Sequence, residues 1–593
     1  MTVKIPLQVV ELRQPRCALR FGVGTCPATG TPKCYNTWAT CQSAATRAVY
    51  DNTGFISWRF VRNSPGKRMF GDFADADDTK TNGIPVSGLT VSASKSQINV
   101  GGILSGKSPF GILGSVTVTM DDFQWADPVG DFYLADRTDM PARTFWAVFM
   151  ARNALLSNME LRIYDGYEGD DLADMRQRLY ILESIDGPSG GRVTLKGIDP
   201  LMLADGRRSL FPPAYDMSLY ANITATATSL DVITGDEANV SGAVGMSTNR
   251  YILIGSEIIG YTGYTVATAG QYTLTGLLRG QGGSTIASAS SGAKIGRVGY
   301  FENRLLVDVA RYLLTDWTTI ADALIDDAGW DAERDDYLSV SYTNAFIAKP
   351  TPVVDLMGEL CQQGTFNVWW DEYAQLIKLQ AVRPPSGTVT AMTETNAILA
   401  DSADLTMDPD ARLTRILVLY DAIDATKTGA ENYRVVTGLI EADGEVAAAG
   451  GEPRTLQILA RWITTEAQAY QVISRTFLRY KAIPQMLSIR ISAKDREIDL
   501  GEALDITTRA VVDTEGKSRE KRWQVVSVSE VVMGQTYQLD MQAFNLTGRY
   551  AKIMDASATA DYTSATDEEK ANGCYLSDAN GLMSDGTEGY KYS

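Results

Sequence analysis

Met159-Glu-Leu-Arg-Ile-Tyr164, Arg178-Leu-Tyr-Ile-Leu-Glu-Ser-Ile185 and Arg192-Val-Thr-Leu-Lys-Gly-Ile198 stand close together, separated by the turn signals Asp165-Gly166 and Asp186-Gly-Pro-Ser-Gly-Gly191. Apolar and polar residues alternate in each run, the two-residue period of a strand with one face buried. Successive runs joined by Gly- and Asp-rich turns predict antiparallel pairing. Ile112-Leu-Gly-Ser-Val-Thr-Val-Thr-Met120 upstream extends the pattern, as does Phe55-Ile-Ser-Trp-Arg-Phe-Val61. This segment reads as an antiparallel barrel or sandwich.

Downstream the same logic holds with a change of texture. Residues 218–300 are rich in Thr, Ser, Gly and Ala and carry Ser229-Leu-Asp-Val-Ile, Arg250-Tyr-Ile-Leu-Ile-Gly-Ser-Glu-Ile-Ile-Gly-Tyr261 and Tyr272-Thr-Leu-Thr-Gly-Leu-Leu-Arg-Gly280, a small all-β module. A helical period then appears. Leu306, Val309, Ala310, Leu313 and Leu314 share one face, Ile320, Ala323 and Leu324 follow, and Val354, Met357, Leu360 and Cys361 form another stripe. Thr464 or Thr465 caps a third helix through Tyr470, Ile473 and Phe477 that stops before Pro484. Strands return at Phe366-Asn-Val-Trp-Trp370, Leu376–Gln380, Arg415–Tyr420, Leu487–Ser492 and Trp523–Val528. The fold class expected is mainly β to α+β and multidomain, with antiparallel β-barrel or sandwich domains, a few packed helices and a loop-rich N-terminal cysteine cluster. The expected divisions are 1–75 (cysteine domain), 76–217 (β-rich), 218–300 (inserted β module), 301–420 (α+β), 421–550 (α+β or β-barrel) and 551–593 (polar tail), with a linker over Asp72–Asn82.

Composition sets bounds on function. The 593 residues hold 54 Lys and Arg against 72 Asp and Glu, a net charge of −18 that disfavours grooves gripping phosphate backbones. There is no histidine, which removes Ser-His-Asp, Cys-His and His-ligated zinc chemistry. The start lacks an apolar signal-peptide core and no run approaches 18 apolar residues, so the expectation is a chain made in a cytosol with no transmembrane segment.

Four of the six cysteines, Cys17, Cys26, Cys34 and Cys41, fall in one C-x8-C-x7-C-x6-C stretch among Gly24, Pro27, Gly30 and Pro32. Without histidine, soft-metal chemistry must be all-thiolate. The set is open to an iron–sulfur cluster, to one zinc ion, or to disulfides or free thiols. A structural zinc is commonly served by a tight C-x2-C knuckle, which is missing here, and wide even spacing in Gly- and Pro-containing loops suits the larger cluster.

Other motifs have plainer readings. Gly101-Gly-Ile-Leu-Ser-Gly-Lys107-Ser108 matches the phosphate-loop string, but Pro109, Gly111 and Gly114 follow where a helix must open, so it reads as a glycine-rich loop. Trp369-Trp370-Asp371-Glu372 reads as a buried strand ending in an acidic turn, with Asp371 and Glu372 the weak candidates for a glycan-cleaving pair. Cys361 reads as a core thiol, and Asp165, Glu168, Asp170 and Asp171 as a solvated turn.

The segment Cys26-Pro-Ala-Thr-Gly-Thr-Pro-Lys-Cys34-Tyr-Asn-Thr-Trp-Ala-Thr-Cys41 resembles the cysteine region of the iron–sulfur tail-tip protein of lambda-like phages. Ile252–Tyr261 with Leu274-Thr-Gly-Leu-Leu-Arg-Gly280-Gln-Gly-Gly283 is similar to a β module of phage tail proteins, with Ala287–Gly292 where its usual histidine stretch stands. Ser577–Gly586 is similar to the end of such proteins. The resemblance is to tail-tip or baseplate hub proteins of long-tailed, non-contractile phages and gene transfer agents. It implies a non-enzymatic virion protein at the tail tip, assembled in the bacterial cytoplasm, usually as a homotrimer. It further implies a structural 4Fe-4S cluster (zinc as the alternative) on Cys17, Cys26, Cys34 and Cys41. The partners implied are the distal tail, central fibre and tape-measure proteins, with DNA passing through the lumen without specific binding. A receptor-binding or glycan-degrading tail protein is the rival.

Overall fold

The computed structural model describes the chain outside residues 1–5, 22–24, 29–32, 43–48, 52, 63–82, 94–95, 99–103, 105–108, 112, 126–132, 134–142, 154–158, 168–169, 205–208, 384–388, 441–452, 493–497, 533–534, 544–565 and 567–593. The phosphate-loop string, the 72–82 linker, Glu168, Cys574 and the Ser577–Gly586 segment lie wholly or mainly outside the described residues.

The first sheet is built from β1 (Pro6–Arg16), β2 (Gly54–Arg62), β3 (Ile84–Val86), β4 (Thr90–Ala93), β6 (Ser115–Asp121), β7 (Glu160–Tyr167), β8 (Arg176–Ser189) and β9 (Arg192–Ile198), in the order β3-β2-β1-β7-β8-β9-β6-β4. All pairs are antiparallel except β2 with β3. Alternation sets the buried face: Val193 and Leu195 of β9 and Val116, Val118 and Met120 of β6 join Leu161, Ile163 and Tyr180 in one core. β1 is the strand that sequence reading passes over. Val9, Val10, Glu11 and Leu12 are all buried, so no alternation shows. Val10 and Leu12 face the main core, Val9 packs on Val61 and Tyr164 behind the sheet, and Glu11 is held by Arg59 at 2.6 Å and Ser57 at 3.1 Å. β1 and β2 therefore share a sheet with strands from residues 84–198, and the cysteine segment is the loop between them.

A helix over Phe145–Arg152, also unannounced by periodicity, lays Phe145, Trp146 and Phe149 on Trp58 and Phe60. The short β5 (Ser96–Gln97) leaves this sheet and pairs with Lys521–Val532, tying the first sheet to the last.

Residues 217–297 form an eight-stranded antiparallel sheet with its own core of Met217, Leu230, Ile252, Tyr272 and Ile295. Next comes a helical core in which Leu306–Asp316 and Val353–Gly364 bury the expected stripes, Cys361 included, against the Phe366–Asp371 and Leu376–Ala381 hairpin. Two further sheets follow. One holds Gln485–Ser492, Ala503–Thr507, Lys521–Val532 and Thr536–Ala543, and the other Arg415–Ala422, Tyr433–Ile440 and Thr455–Ala460. The architecture is mainly β with a few packed helices. Among the described residues no helix is long and apolar enough to cross a membrane.

The helix Glu466–Tyr480 begins with a capping box, Thr465 accepting from the Gln468 N–H while the Gln468 side chain accepts from the Thr465 N–H at 3.3 Å. Thr465→Ala is expected to lower stability by about 1 kcal/mol, read as a shifted urea midpoint with unchanged slope.

Candidate metal centre

The cysteine loop leaves the first sheet at Arg16 and returns at Gly54, which pair across β1 and β2. The strands come so close that a Cβ on Gly54 would stand 2.8 Å from the Arg16 carbonyl oxygen. Cys17 begins the loop and donates its N–H to the Asn36 carbonyl at 2.7 Å. Asn36 sits at φ +60°, which asparagine tolerates, and its Nδ2 donates to the carbonyls of Cys17 (3.1 Å) and Leu19 (3.2 Å). That knot brings the Cys34 end of the loop back over Cys17. Thr37 Oγ1 donates to the Arg152 carbonyl at 2.7 Å, fastening the loop to the end of the 145–152 helix. The Cys34 N–H donates to Tyr133 Oη at 3.0 Å, and the Tyr133 ring meets Tyr35 edge to face.

Cys17 and Cys34 are buried, while Cys26 and Cys41 are partly exposed. Two backbone N–H groups already point at sulfur: Asn36 to Cys34 Sγ and Asp51 to Cys17 Sγ, both at 3.4 Å. Such donors favour the thiolate over the thiol. Burial pushes the Cys34 thiol above its ordinary value, the Asn36 N–H opposes this, and Cys41, Cys17 and Cys26 raise it further by like charge. All four thiols therefore share one electrostatic neighbourhood. Tyr50 reports the same field, pushed up to about 12 by burial and by Cys17 and Cys41.

The five described cysteines are free thiols. Among the described residues no three Cys, Asp or Glu side chains close around a single ion position. The donors match an all-thiolate group in kind, and among the described residues they do not converge on one ion position. Tyr133, Asn36, Asp51 and the Thr37 contact to Arg152 are supports that spacing does not reveal, although an Asn at a positive φ between two cysteines fits the loop signal Tyr35-Asn-Thr37.

The other candidates are used in packing. Asp371 is buried, accepts from the N–H groups of Tyr373 (3.0 Å) and Ala374 (2.9 Å), and pairs with Lys378 at 2.7 Å, which caps its own hairpin turn. Glu372 accepts from Tyr180 Oη at 3.0 Å. Asp165 pairs with Arg178 at 2.7 Å, and Asp170 accepts from the Tyr167 N–H. Cys361 is a fully apolar neighbour of the helical core, its thiol pushed well up by burial.

In the 217–297 sheet the two module motifs meet through one ion pair. Arg279 Nε and Nη2 donate to Glu257 Oε1 and Oε2 at 2.7 and 2.8 Å, and the same guanidinium reaches the carbonyls of Thr224 and Ala287. Glu257 also accepts from the N–H groups of Ala287 and Gly280. The stretch standing in the histidine position is thus held by its backbone. Gly283, at φ +74°, lies where a Cβ would collide with the Ile423 carbonyl, and Ala425 donates to the Gly282 carbonyl at 2.9 Å. These contacts seat the module on the loop after Arg415–Ala422.

A family model described as "Rcc01698-like, C-terminal" matches residues 220–296. Curated proteins give no match. The solved structures that the chain is similar to include the 43 kDa tail protein of prophage MuSo2 from Shewanella oneidensis (9% identity, 77% of this chain and 92% of that one, TM-score 0.34). Another is a tail protein from Neisseria meningitidis MC58 (10%, 78% and 94%, TM-score 0.33), and a third a chain in the virion of a native gene transfer agent particle (9%, 57% and 87%, TM-score 0.31). These structural neighbours are phage tail and virion proteins.

Proposed function

We propose that this chain is a structural hub of a phage-type tail tip that closes the tail tube, carries an iron–sulfur cluster, anchors a central fibre and takes part in tail assembly and DNA ejection without catalysis. The observation that carries the reading is the placement of Cys17, Cys26, Cys34 and Cys41 on the one loop between β1 and β2, with N–H groups already on the sulfurs of Cys34 and Cys17. The resemblance of the cysteine segment and the family match over 220–296 support it.

Cys17, Cys26, Cys34 and Cys41 would hold a 4Fe-4S cluster, with zinc as the alternative. Bound, the group supplies metal–thiolate bonds that staple a loop with little apolar core of its own. The Asn36 and Asp51 N–H groups stabilise the sulfur charge, Asn36 sets the crossing of the two loop ends, and Tyr133 positions Cys34. The net charge of −18 suits a lumen through which DNA slides without adhering. The partners proposed are distal tail, fibre and tape-measure proteins around a homotrimer, assembled in the host cytoplasm.

Complementation with Cys34→Ser tests the reading. The variant is expected to cut the yield of assembled particles at least about tenfold, counted by electron microscopy, with the chain located at the tip of wild-type tails by antibody labelling. Normal yield and infectivity with all four cysteines replaced would show the cluster to be dispensable. Labelling away from the tip would contradict the hub assignment.

A further inference from the structure

Three parts of the chain meet around a cavity of about 400 Å³. Gly282 and Gly283 come from the 217–297 sheet, Asn344, Phe346 and Glu359 from the helical core, and Asp421, Ile423, Tyr433, Arg434, Leu459 and Arg461 from the sheet that begins at Arg415. Junctions of this kind, at about 300–1,000 Å³, are where small-molecule sites commonly form. The walls are fixed by the backbone. Gly283 stands against the Ile423 carbonyl, and Asp421, at φ +60°, donates its N–H to the Ile463 carbonyl at 3.2 Å.

The charges of these walls cancel in place. Arg461 donates from Nε and Nη2 to the two Glu359 oxygens at 2.6 and 2.8 Å, and Trp462 Nε1 adds a third bond at 2.9 Å. Arg434 Nη1 donates to both Asp421 oxygens at 3.1 and 3.2 Å, and Lys427 pairs with Asp424 at 3.2 Å. An anion therefore meets no surplus of cations, and a metal ion meets carboxylates already held by arginine. A wholly apolar ligand would strip water from the ion pairs and return no hydrogen bond. What fits is a neutral molecule whose polar groups donate and accept together, and the hydroxyl is that group. It can donate to Asp421 or Glu359 while accepting from Arg434 or Arg461. Tyr433 adds a hydroxyl that makes no hydrogen bond among the described residues, and Asn344, whose Oδ1 accepts from the Asn303 N–H, adds its amide nitrogen. Half-buried Phe346, with Ile423 and Leu459 at 41% and 37% exposed, supplies apolar wall between them.

We propose that this cavity binds a neutral saccharide of one or two rings. A sugar carries hydroxyls around its rim and C–H groups on its faces, the same division of polar and apolar groups that the walls present. An extended peptide is the poorer match, because it gains its affinity by pairing with a strand edge and this cavity is lined largely by side chains. The site is separate from the cysteine loop and from Asp371 and Glu372, so the inference goes beyond the hub reading and stands without it.

Saturation-transfer NMR on the full chain, with maltose, cellobiose, lactose and N,N′-diacetylchitobiose each at about 10 mM, tests the proposal. Transfer to at least one is expected, with a dissociation constant of about 1 mM or tighter. Thr464→Trp fills the cavity from an exposed position while keeping the backbone N–H that Gln468 accepts, and is expected to abolish binding. Arg434→Ala is expected to weaken it about tenfold. Arg509→Ala, which removes a guanidinium bonded to Glu394 outside the cavity, is expected to bind as wild type. Circular dichroism confirms that each variant is folded. No transfer to any of the four sugars, transfer that survives Thr464→Trp, preference for the anionic N-acetylneuraminic acid over all four, or binding of a neutral Gly-Ser peptide in their place would overturn the proposal.

Discussion

Arg279→Ala will destabilise the 217–297 sheet by about 3–5 kcal/mol, the cost of stranding one member of a buried ion pair. The Arg279 and Glu257 side chains are 9% and 2% exposed and meet through two parallel hydrogen bonds, so neither has water to fall back on. Removing the guanidinium leaves the Glu257 carboxylate with only the N–H groups of Gly280 and Ala287, and takes donors from the Thr224 and Ala287 carbonyls. Arg279→Lys keeps a charge but not the planar fork, and is expected to recover part of the loss. Burial alone would raise the Glu257 carboxyl, but the Arg279 bonds and the two N–H groups outweigh it and hold it below the usual range. A depressed folded-state value adds stability above the unfolded-state pKa, lost as pH falls through the folded one. The gap between variant and wild type should therefore be widest at neutral pH and close in acid. Hydrogen exchange is the measurement: protection should fall in 250–297 and stay in 160–198. Unchanged exchange in the module would mean that the pair contributes nothing net.

Arg178→Ala should be comparably severe, again about 3–5 kcal/mol, and its effect should fall on the joint between the first and last sheets. The Arg178 side chain is 4% exposed, 2.7 Å from Asp165 on β7 and 3.9 Å from Glu530 on Lys521–Val532. It borders a cavity of about 50 Å³ also lined by Asp371, Glu372, Tyr373, Asp499, Glu530 and Tyr537. Beside it Arg176 binds Asp499 at 3.0 Å and lies over the Tyr373 ring, and Lys378 binds Asp371. Carboxylates outnumber cations in this seam, so deleting one cation leaves uncompensated buried charge. Asp499 already feels the imbalance: burial and then the Asp371 charge raise its pKa, against the pull of Arg176 and Lys378. A carboxyl raised in the folded state binds more protons folded than unfolded, so its contribution to stability falls as pH rises from the ordinary carboxylate range through the folded value. Asp499→Asn should flatten that fall, and the Arg178→Ala defect should shrink in acid as Asp499 protonates. Urea melts of both variants from pH 4 to 8 check the pair. A defect independent of pH would assign the loss to packing.

What could be read beforehand followed from local periodicity. Val193 and Leu195 alternate against the core, Leu306 to Leu314 keep a helical stripe, and Thr465 with Gln468 announces a helix start. β1 was hidden because both of its faces are covered, Glu11 being buried by an ion pair, and the 145–152 helix because its buried Phe145, Trp146 and Phe149 form no long repeat. The pairing of Ser96–Gln97 with a strand more than 400 residues later has no local signature at all. At the candidate site the four cysteines stand out in a chain without histidine, whereas the contacts that fix their loop do not, because Tyr133 lies 99 residues from the Cys34 N–H it binds.

The most direct test of the account is iron and acid-labile sulfide analysis, with absorbance, on the full chain purified without oxygen, in parallel with a Cys34→Ser variant. The account predicts iron and sulfide in equal amounts, about four of each per chain, with a brown chromophore that the variant loses. Zinc in place of iron, or a metal-free wild type with intact folding, would contradict it.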